Sequence, residues 1–188
     1  MLKAAIAIIT WFALMLQLYV LLNNGGSILN YFSYFTILTN LLVAISFTVP
    51  SPFFSKPEVR AGITLYIAIV GMVYSLLLRH LWKPAGWQLV ADTLLHDVVP
   101  LLAVLYWILF VPKGKLKWVH ALQWLIYPIC YLIYTLLRGV YPYPFIDIDQ
   151  LGVEQAVLNM IYLGIAFVVL GFGLVGIDRL FRPRRSAA

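Results

Sequence analysis

Charged side chains are scarce in this chain: they make up 11% of its 188 residues, whereas apolar side chains make up 63%. A soluble globular domain carries about 25% charged residues. The shortage of charge therefore excludes an ordinary soluble domain and places the chain in lipid. We expect residues 1–188 to form a single integral membrane domain.

Cysteine is nearly absent. The single residue of this type, Cys130, lies inside an apolar stretch, so the sequence excludes an intrachain disulfide and a cysteine-rich metal motif. We expect Cys130 to be a small buried apolar side chain. The chain also lacks P-loop, GxGxxG, GxSxG and HExxH sequences, and we expect neither a cofactor nor a metal.

A basic stripe or patch is missing too, although the net charge is +6. The lysines and arginines stand in short loops between apolar stretches, where such charges orient a membrane protein and meet anionic headgroups. Nucleic acid is therefore not an expected partner.

Six apolar stretches have a length near the roughly 20 residues that cross a bilayer. The first has about 19 residues and no small-x-small site after it, so we expect a helix and not a signal peptide. The fold class is therefore all-α, a polytopic bundle of six transmembrane helices. The expected helices cover approximately 4–22, 28–49, 61–78, 89–111, 118–137 and 156–181.

Loop charges predict the orientation of this bundle. Ten basic residues fall on one side: Lys3, Lys56, Arg60, Lys113, Lys115, Lys117, Arg179, Arg182, Arg184 and Arg185. Three fall on the other: Arg79, Lys83 and Arg138. Because basic loops stay in the cytoplasm, we expect both termini inside, in a bacterial cytoplasmic (inner) membrane.

Polar side chains interrupt the second expected helix. Ser33, Thr36 and Asn40 are three and four residues apart, so they share one stripe of that helix. Thr39 lies beside them. Hydroxyl and amide groups in membrane helices often only form hydrogen bonds between helices, and this structural interpretation stays open for all four.

Ionisable residues interrupt the fourth expected helix. Asp92 and His96 are four residues apart and stacked, and Asp97 points about 100° away from His96. A central charge costs roughly 2.5–3.5 kcal/mol to insert, so idle carboxylates are not expected. Pro100 denies the His96 carbonyl its helical hydrogen bond, which predicts a bend beside a wet or occupied cavity.

Thr36 and His96 share a depth of roughly 10–12 Å below the same boundary, at 1.5 Å per residue. A threonine hydroxyl needs an adjacent base to act as a nucleophile, and histidine is the usual base. A carboxylate can hold the imidazole tautomer, and an amide or hydroxyl can donate to an oxyanion. The candidate catalytic residues are Thr36 and His96, and the candidate supporting residues are Asp92, Asp97, Asn40, Ser33 and Thr39. A structural ion pair with Arg79 or Arg138 is the alternative for the carboxylates.

Other features predict packing. An aromatic belt at the membrane boundaries is expected to include Trp82, Trp87, Trp118, Tyr141 and Tyr143. Pro128 is expected to bend the fifth helix. Gly164 and Gly171, seven residues apart, suit a close packing face on the sixth helix.

Three segments resemble one family. They are Tyr34-Phe35-Thr36-Ile37-Leu38-Thr39-Asn40-Leu41, Leu95-His96-Asp97-Val98-Val99-Pro100, and Trp124–Pro128 continuing to Tyr141-Pro142-Tyr143-Pro144-Phe145. The chain resembles the bacterial six-span proteins related to the androgen-induced and androgen-dependent TFPI-regulating proteins of animals. The animal proteins of this family are threonine hydrolases that cleave fatty acid esters of hydroxy fatty acids. The resemblance implies Thr36 as nucleophile and His96 as base, with Thr39 as the competing threonine.

We therefore expect a membrane-embedded hydrolase of lipid esters, whose partners are membrane lipids or a lipid-ester substrate. Two alternatives remain: a small proton or solute carrier, and a non-catalytic lipid-binding protein. The lack of an internal repeat and of charges deep in the other half disfavours a carrier. The oligomeric state stays open.

Overall fold

The computed structural model describes residues 1–182, and within them the regular structure is all helical. Arg184 and Arg185 of the basic tail lie outside the described residues. The helices are α1 (Leu2–Asn23), α2 (Ile28–Tyr31), α3 (Phe35–Thr48), α4 (Pro52–Ser55), α5 (Pro57–Leu78), α6 (Gly86–Phe110), α7 (Trp118–Arg138), α8 (Ile148–Leu151) and α9 (Val153–Leu180).

Five of these helices, α1, α5, α6, α7 and α9, are long and apolar enough to cross a membrane. Their outward surfaces carry large apolar side chains, for example Ile161, Ile165 and Val169 on α9. A continuous apolar surface of this kind is stable in lipid and not in water. The chain is therefore an all-α integral membrane protein.

The continuous helix expected over 28–49 is broken at residues 32–34, which separate α2 from α3. Polar groups of α7 satisfy the carbonyls freed by this break. The Tyr131 hydroxyl donates to the Ser33 carbonyl (2.8 Å), and Arg138 donates to the Leu29 carbonyl (2.7 Å). Irregular backbone inside a membrane protein requires such partners, and an apolar pattern within one segment does not reveal them.

At its other end, α3 meets a buried cation. The Arg60 guanidinium donates to the Ser46 carbonyl (2.6 Å) and to the Ser46 hydroxyl (3.1 Å). It also lies over the Phe47 ring, 4.3 Å from the centroid. A cation is favourable where a helix leaves its last carbonyls free.

The fifth expected helix, α7, is bent as Pro128 suggests. Its segments Trp118–Gln123 and Ile126–Arg138 are separated by a turn at 124–125, because Pro128 has no N–H for the carbonyl four residues earlier. Cys130, expected to be buried, is exposed on this helix, so it belongs to the apolar outer surface.

Candidate functional site

Thr36 is the second residue of α3, and its side chain is buried. The N–H groups in the first turn of a helix have no acceptor within that helix. The Thr36 N–H donates instead to the Tyr143 hydroxyl oxygen, at 3.1 Å. The break before α3 therefore presents both the N–H and the hydroxyl of Thr36 to the interior.

His96 lies on α6, and its Nε2 is 3.3 Å from the Thr36 Oγ1. On the other side of the ring, Nδ1 is 3.0 Å from the Asp92 carbonyl oxygen and 3.3 Å from Asp92 Oδ1. The hydrogen bond to the Asp92 carbonyl favours a proton on Nδ1, which leaves Nε2 free to accept the Thr36 hydroxyl proton. Thr36 and His96 thus form a nucleophile–base contact, and the Asp92 carboxylate lies at ion-pair distance from the other ring nitrogen.

Asp92 is the buried carboxylate of this arrangement, with 6% of its surface exposed. Its second oxygen accepts from the Tyr74 hydroxyl on α5. The Tyr74 ring also stacks on the His96 imidazole, with 4.0 Å between centroids and 15° between planes. Both carboxylate oxygens thus have partners, as burial of a charge requires, and the imidazole is held on one face.

The backbone of α6 is irregular at this level. It makes a π-helical turn over Leu94–Val98, in which each N–H bonds the carbonyl five residues earlier. Because Pro100 has no N–H, this pairing leaves the Leu95 carbonyl free, where an α-helix would leave the His96 carbonyl free. The Asn40 side-chain amide donates to the Leu95 carbonyl (3.3 Å) and to the Thr36 carbonyl (2.9 Å). Asn40 therefore clamps α3 to α6, and both of its donors are used, so it is not a free oxyanion donor.

Gly71 allows α5 to approach α6 at the same level. A Cβ atom there would lie 2.9 Å from the His96 carbonyl oxygen and 3.2 Å from the Pro100 Cβ. No real Cβ tolerates a backbone oxygen so close without a shift. The glycine thus permits the approach that places Tyr74 against His96.

Sequence reasoning missed two tyrosines of this site: Tyr74, and Tyr143, which we expected in the aromatic belt. The connection between α7 and α9 folds back into the bundle, and the Tyr143 hydroxyl lies 3.2 Å from the Thr36 Oγ1. Its ring stacks on Phe145, with 5.3 Å between centroids. Burial raises the pKa of Tyr143 to about 12, so its hydroxyl remains a donor at neutral pH. The available signal was the flanking pair Pro142 and Pro144, which stiffens this loop.

The remaining candidate residues point elsewhere. The Thr39 hydroxyl pairs with the Tyr127 hydroxyl (3.2 Å), and Ser33 donates to the Leu29 carbonyl (3.2 Å). Asp97 forms a partly exposed ion pair with Arg79, which is the structural alternative considered above. The structure thus brings together Thr36, His96 and Asp92, with Asn40 beneath them, and places Ser33, Thr39 and Asp97 outside this group.

Two cavities meet at Thr36. The larger cavity, of about 490 Å³, opens among α1, α2, α3, α5, α6 and the loops that follow α1, α5 and α7. Most of its lining is apolar, and we call it the polar cavity for its polar lining residues Gln17, Asn24, Gln88, Asp92 and His96. The apolar cavity, of about 160 Å³, lies between α3, α5, α7 and α9. Thr36, Tyr74, Leu78 and Tyr143 line both. Thr36 therefore lies at the boundary that the two cavities share.

These contacts suit proton transfer from a hydroxyl to an imidazole next to a carboxylate, which is the chemistry of acyl transfer. Among residues 1–182, no group of three histidine, cysteine or acidic side chains is placed to hold a metal ion. Comparisons with protein-family models, curated proteins and solved structures find no match to this chain.

Proposed function

We propose that the chain is a membrane-embedded hydrolase that cleaves lipid esters with Thr36 as nucleophile and His96 as general base. The observation that carries this proposal is the contact between the Thr36 Oγ1 and the His96 Nε2, 3.3 Å, at the junction of the two cavities. The family resemblance stated above implies the same two residues. Thr39 is the weaker candidate, because its hydroxyl pairs with Tyr127 and not with a base.

In the acylation step, the Thr36 oxygen forms a bond to the ester carbonyl carbon while His96 Nε2 takes the hydroxyl proton. Asp92 stabilises the imidazolium that results. The tetrahedral intermediate collapses, the carbon–oxygen bond to the alcohol breaks, and His96 gives its proton to the departing alcohol oxygen. The products are a free alcohol and an acyl ester on Thr36.

Tyr143 supplies the donor for the oxyanion in this proposal. The substrate-free contacts have a consistent assignment: Tyr143 donates to the Thr36 Oγ1, and Thr36 donates to His96. Once the Thr36 oxygen bonds to carbon, the Tyr143 proton is free to turn to the oxyanion beside it. The Thr36 N–H, now paired with the Tyr143 oxygen, is a second donor at the same place.

Deacylation reverses these roles. A water molecule enters from the polar cavity, which reaches both His96 and Thr36. His96 takes its proton, the hydroxide attacks the acyl carbon, and the bond to Thr36 breaks as His96 returns the proton to the threonine oxygen. The fatty acid leaves, and the free threonine is restored.

Turnover by matched threonine variants tests this proposal. Thr36→Ala should abolish hydrolysis of every ester that the purified wild-type protein cleaves, whereas Thr39→Ala should retain it. Equal turnover by wild-type protein and Thr36→Ala would refute the nucleophile. The carrier alternative makes a different prediction, namely proton or solute flux in liposomes that is lost in His96→Ala.

We also propose that the chain crosses the membrane six times, with α2 and α3 together forming one crossing and both termini in the cytoplasm. The excess of lysine and arginine in the connections at 49–56 and 111–117 supports this orientation. Single cysteines test it in a Cys130→Ser background. A membrane-impermeant maleimide applied to intact cells should label Lys83→Cys and not Lys115→Cys, and the opposite labelling would refute the orientation.

A further inference from the structure

The polar side chains that line the polar cavity, among many apolar ones, are mostly neutral amides and hydroxyls. Its lining includes Gln17, Asn24 and Gln88, and its ionisable residues other than tyrosine are Asp92 and His96. Within the described residues 1–182, neither lysine nor arginine lines it. A site for a carboxylate or phosphate ordinarily supplies arginine or lysine, so this cavity does not suit an anionic group.

The amides in the polar cavity suit hydroxyl groups. Gln88 donates to the Gln17 side-chain oxygen at 2.8 Å, and the reverse contact is 3.4 Å. A paired amide can exchange its partner for a ligand hydroxyl, which both donates and accepts. Of the two strongly basic residues in sequence beside the lining residues Leu78, Leu81 and Trp82, Arg79 is paired with Asp97 and Lys83 does not line the cavity. The cavity volume of about 490 Å³ lies within the range of ligand sites, about 300–1,000 Å³.

The apolar cavity suits a hydrocarbon chain that enters from lipid. Within α9, Gly171 packs closely, because a Cβ there would lie 3.3 Å from the Ala121 Cβ on α7. Seven residues earlier, a Cβ on Gly164 would meet nothing within 4 Å, and Gly164 lines the cavity. Only one of the two glycines expected to form a packing face therefore does so. The other leaves space between α7 and α9, beside outward residues such as Ile129.

From these two linings we infer the substrate class: a fatty acyl ester of a small, uncharged polyol, of which a monoacylglycerol is the simplest example. This inference rests on the proposed function. The acyl carbons next to the ester occupy the apolar cavity of about 160 Å³, and the rest of the chain extends between α7 and α9 into lipid. The ester carbonyl lies at Thr36, and the polyol hydroxyls contact Gln17 and Gln88. A free carboxylate on the alcohol part would face Asp92 without a cation to pair with it.

A substrate panel with one acyl chain tests the alcohol part. The kcat/KM for a palmitoyl monoglyceride should exceed that for a palmitoyl ester of a hydroxy fatty acid by at least about tenfold, equivalent to 1.4 kcal/mol. Gln88→Lys should lower that ratio or bring it below one, because the new cation in the cavity can pair with the carboxylate of the hydroxy fatty acid ester. Gln150→Lys adds the same charge at an exposed site on α8, outside the lining of the cavity, and should leave the ratio unchanged. A wild-type preference for the carboxylate-bearing ester would overturn the inference.

Two glycine variants test the acyl part. Gly164→Phe should fill the apolar cavity and reduce turnover of the palmitoyl monoglyceride by about tenfold or more, while the acetyl ester of the same polyol is cleaved as before. Gly173→Phe is the matched control, because Gly173 is exposed on α9 and a Cβ there also meets nothing within 4 Å. Equal loss on both esters, or loss in the control alone, would overturn the location of the acyl chain.

Binding of a monoalkylglycerol ether separates this inference from the proposed function, because an ether is not hydrolysed. Native mass spectrometry of the wild-type and Gly164→Phe proteins measures it. If the wild type cleaves no ester but binds the ether in a way that Gly164→Phe weakens, the hydrolase proposal fails and the ligand class stands. If esters are cleaved but the ether does not bind, the ligand class fails alone.

Discussion

The two ends of α3 are both buried and both polar, yet they differ in what surrounds them. At the C-terminal end, Arg60 is 6% exposed, donates to Ser46 and lies over the Phe47 ring. At the N-terminal end, Thr36 meets His96 and Tyr143 where two cavities join. Neither of those cavities is lined by Arg60.

The comparison separates a structural charge from a candidate functional one. Arg60 satisfies the free carbonyls of a helix end and packs against rings, so its partners account for its burial. The Asp92–His96 pair also has partners, but one imidazole nitrogen contacts the hydroxyl of Thr36, and both His96 and Thr36 line a cavity. Burial cost alone does not identify a site in a membrane protein; access for a ligand is also required.

Replacing the base should give the largest change at the N-terminal end. His96→Ala should lower turnover by about 10²–10⁴-fold, the usual contribution of a general base, while the protein remains folded. His120→Ala, near the start of α7, is the control and should keep wild-type turnover. If His96→Ala retains its activity in protein with an unchanged thermal midpoint, the general-base role is wrong.

Replacing Tyr143, in the loop between α7 and α9, should give the second-largest change in turnover. Tyr143→Phe keeps the ring that packs on Phe145 but removes the hydroxyl near Thr36, so kcat should fall by about 10²-fold, as for loss of one oxyanion donor. Tyr141→Phe, in the same loop, should be neutral. An effect on KM alone would instead indicate that Tyr143 only shapes the cavity.

A substitution of Arg60, at the C-terminal end of α3, should lower the stability of the protein and leave its turnover unchanged. Arg60→Met removes the donor to the Ser46 carbonyl, and a buried unsatisfied acceptor costs about 1–3 kcal/mol. Thermal unfolding in detergent should shift down, while turnover per folded molecule stays at the wild-type level. Lys56→Met, at an exposed position, should shift neither. A loss of activity without a loss of stability would place Arg60 in the functional site and break the comparison.

Loss of the exposed ion pair between Arg79 and Asp97 should give the smallest change in turnover. Asp97→Asn removes the partner of Arg79, but both side chains are more than a third exposed, and such pairs contribute about 0–1 kcal/mol. We expect turnover per folded molecule within about fivefold of wild type, the factor that corresponds to 1 kcal/mol. Asp92→Asn is the informative contrast on the same helix, because it alters the carboxylate beside His96 and should reduce turnover far more.

Local spacing was sufficient to predict part of this architecture. Five membrane-crossing helices follow from apolar length alone. Equal depth on two helices suggested that Thr36 and His96 could meet, and they are within 3.3 Å across 60 residues of sequence. Four-residue spacing on one helix likewise suggested the contact between Asp92 and His96.

What spacing could not predict depends on partners distant in sequence. The break before α3 is stabilised by Tyr131 and Arg138 of α7, and no pattern within residues 28–49 reveals them. Tyr143 reaches Thr36 across 107 residues, through a loop whose composition equally fits a membrane boundary. The depth of Ser33, Thr39 and Asp97 in the membrane suits supporting residues of the site. Tertiary packing, which depth does not predict, decides whether each side chain lies towards Thr36 and His96.

The central claim, an activated Thr36, is tested most directly by covalent labelling with a fluorophosphonate and mapping of the adduct by mass spectrometry. The account predicts one adduct on Thr36 in the wild-type protein, unchanged in Thr39→Ala and at least about tenfold slower in His96→Ala. An adduct on Thr39, labelling of Thr36 at the same rate without His96, or no threonine adduct in folded protein would contradict it.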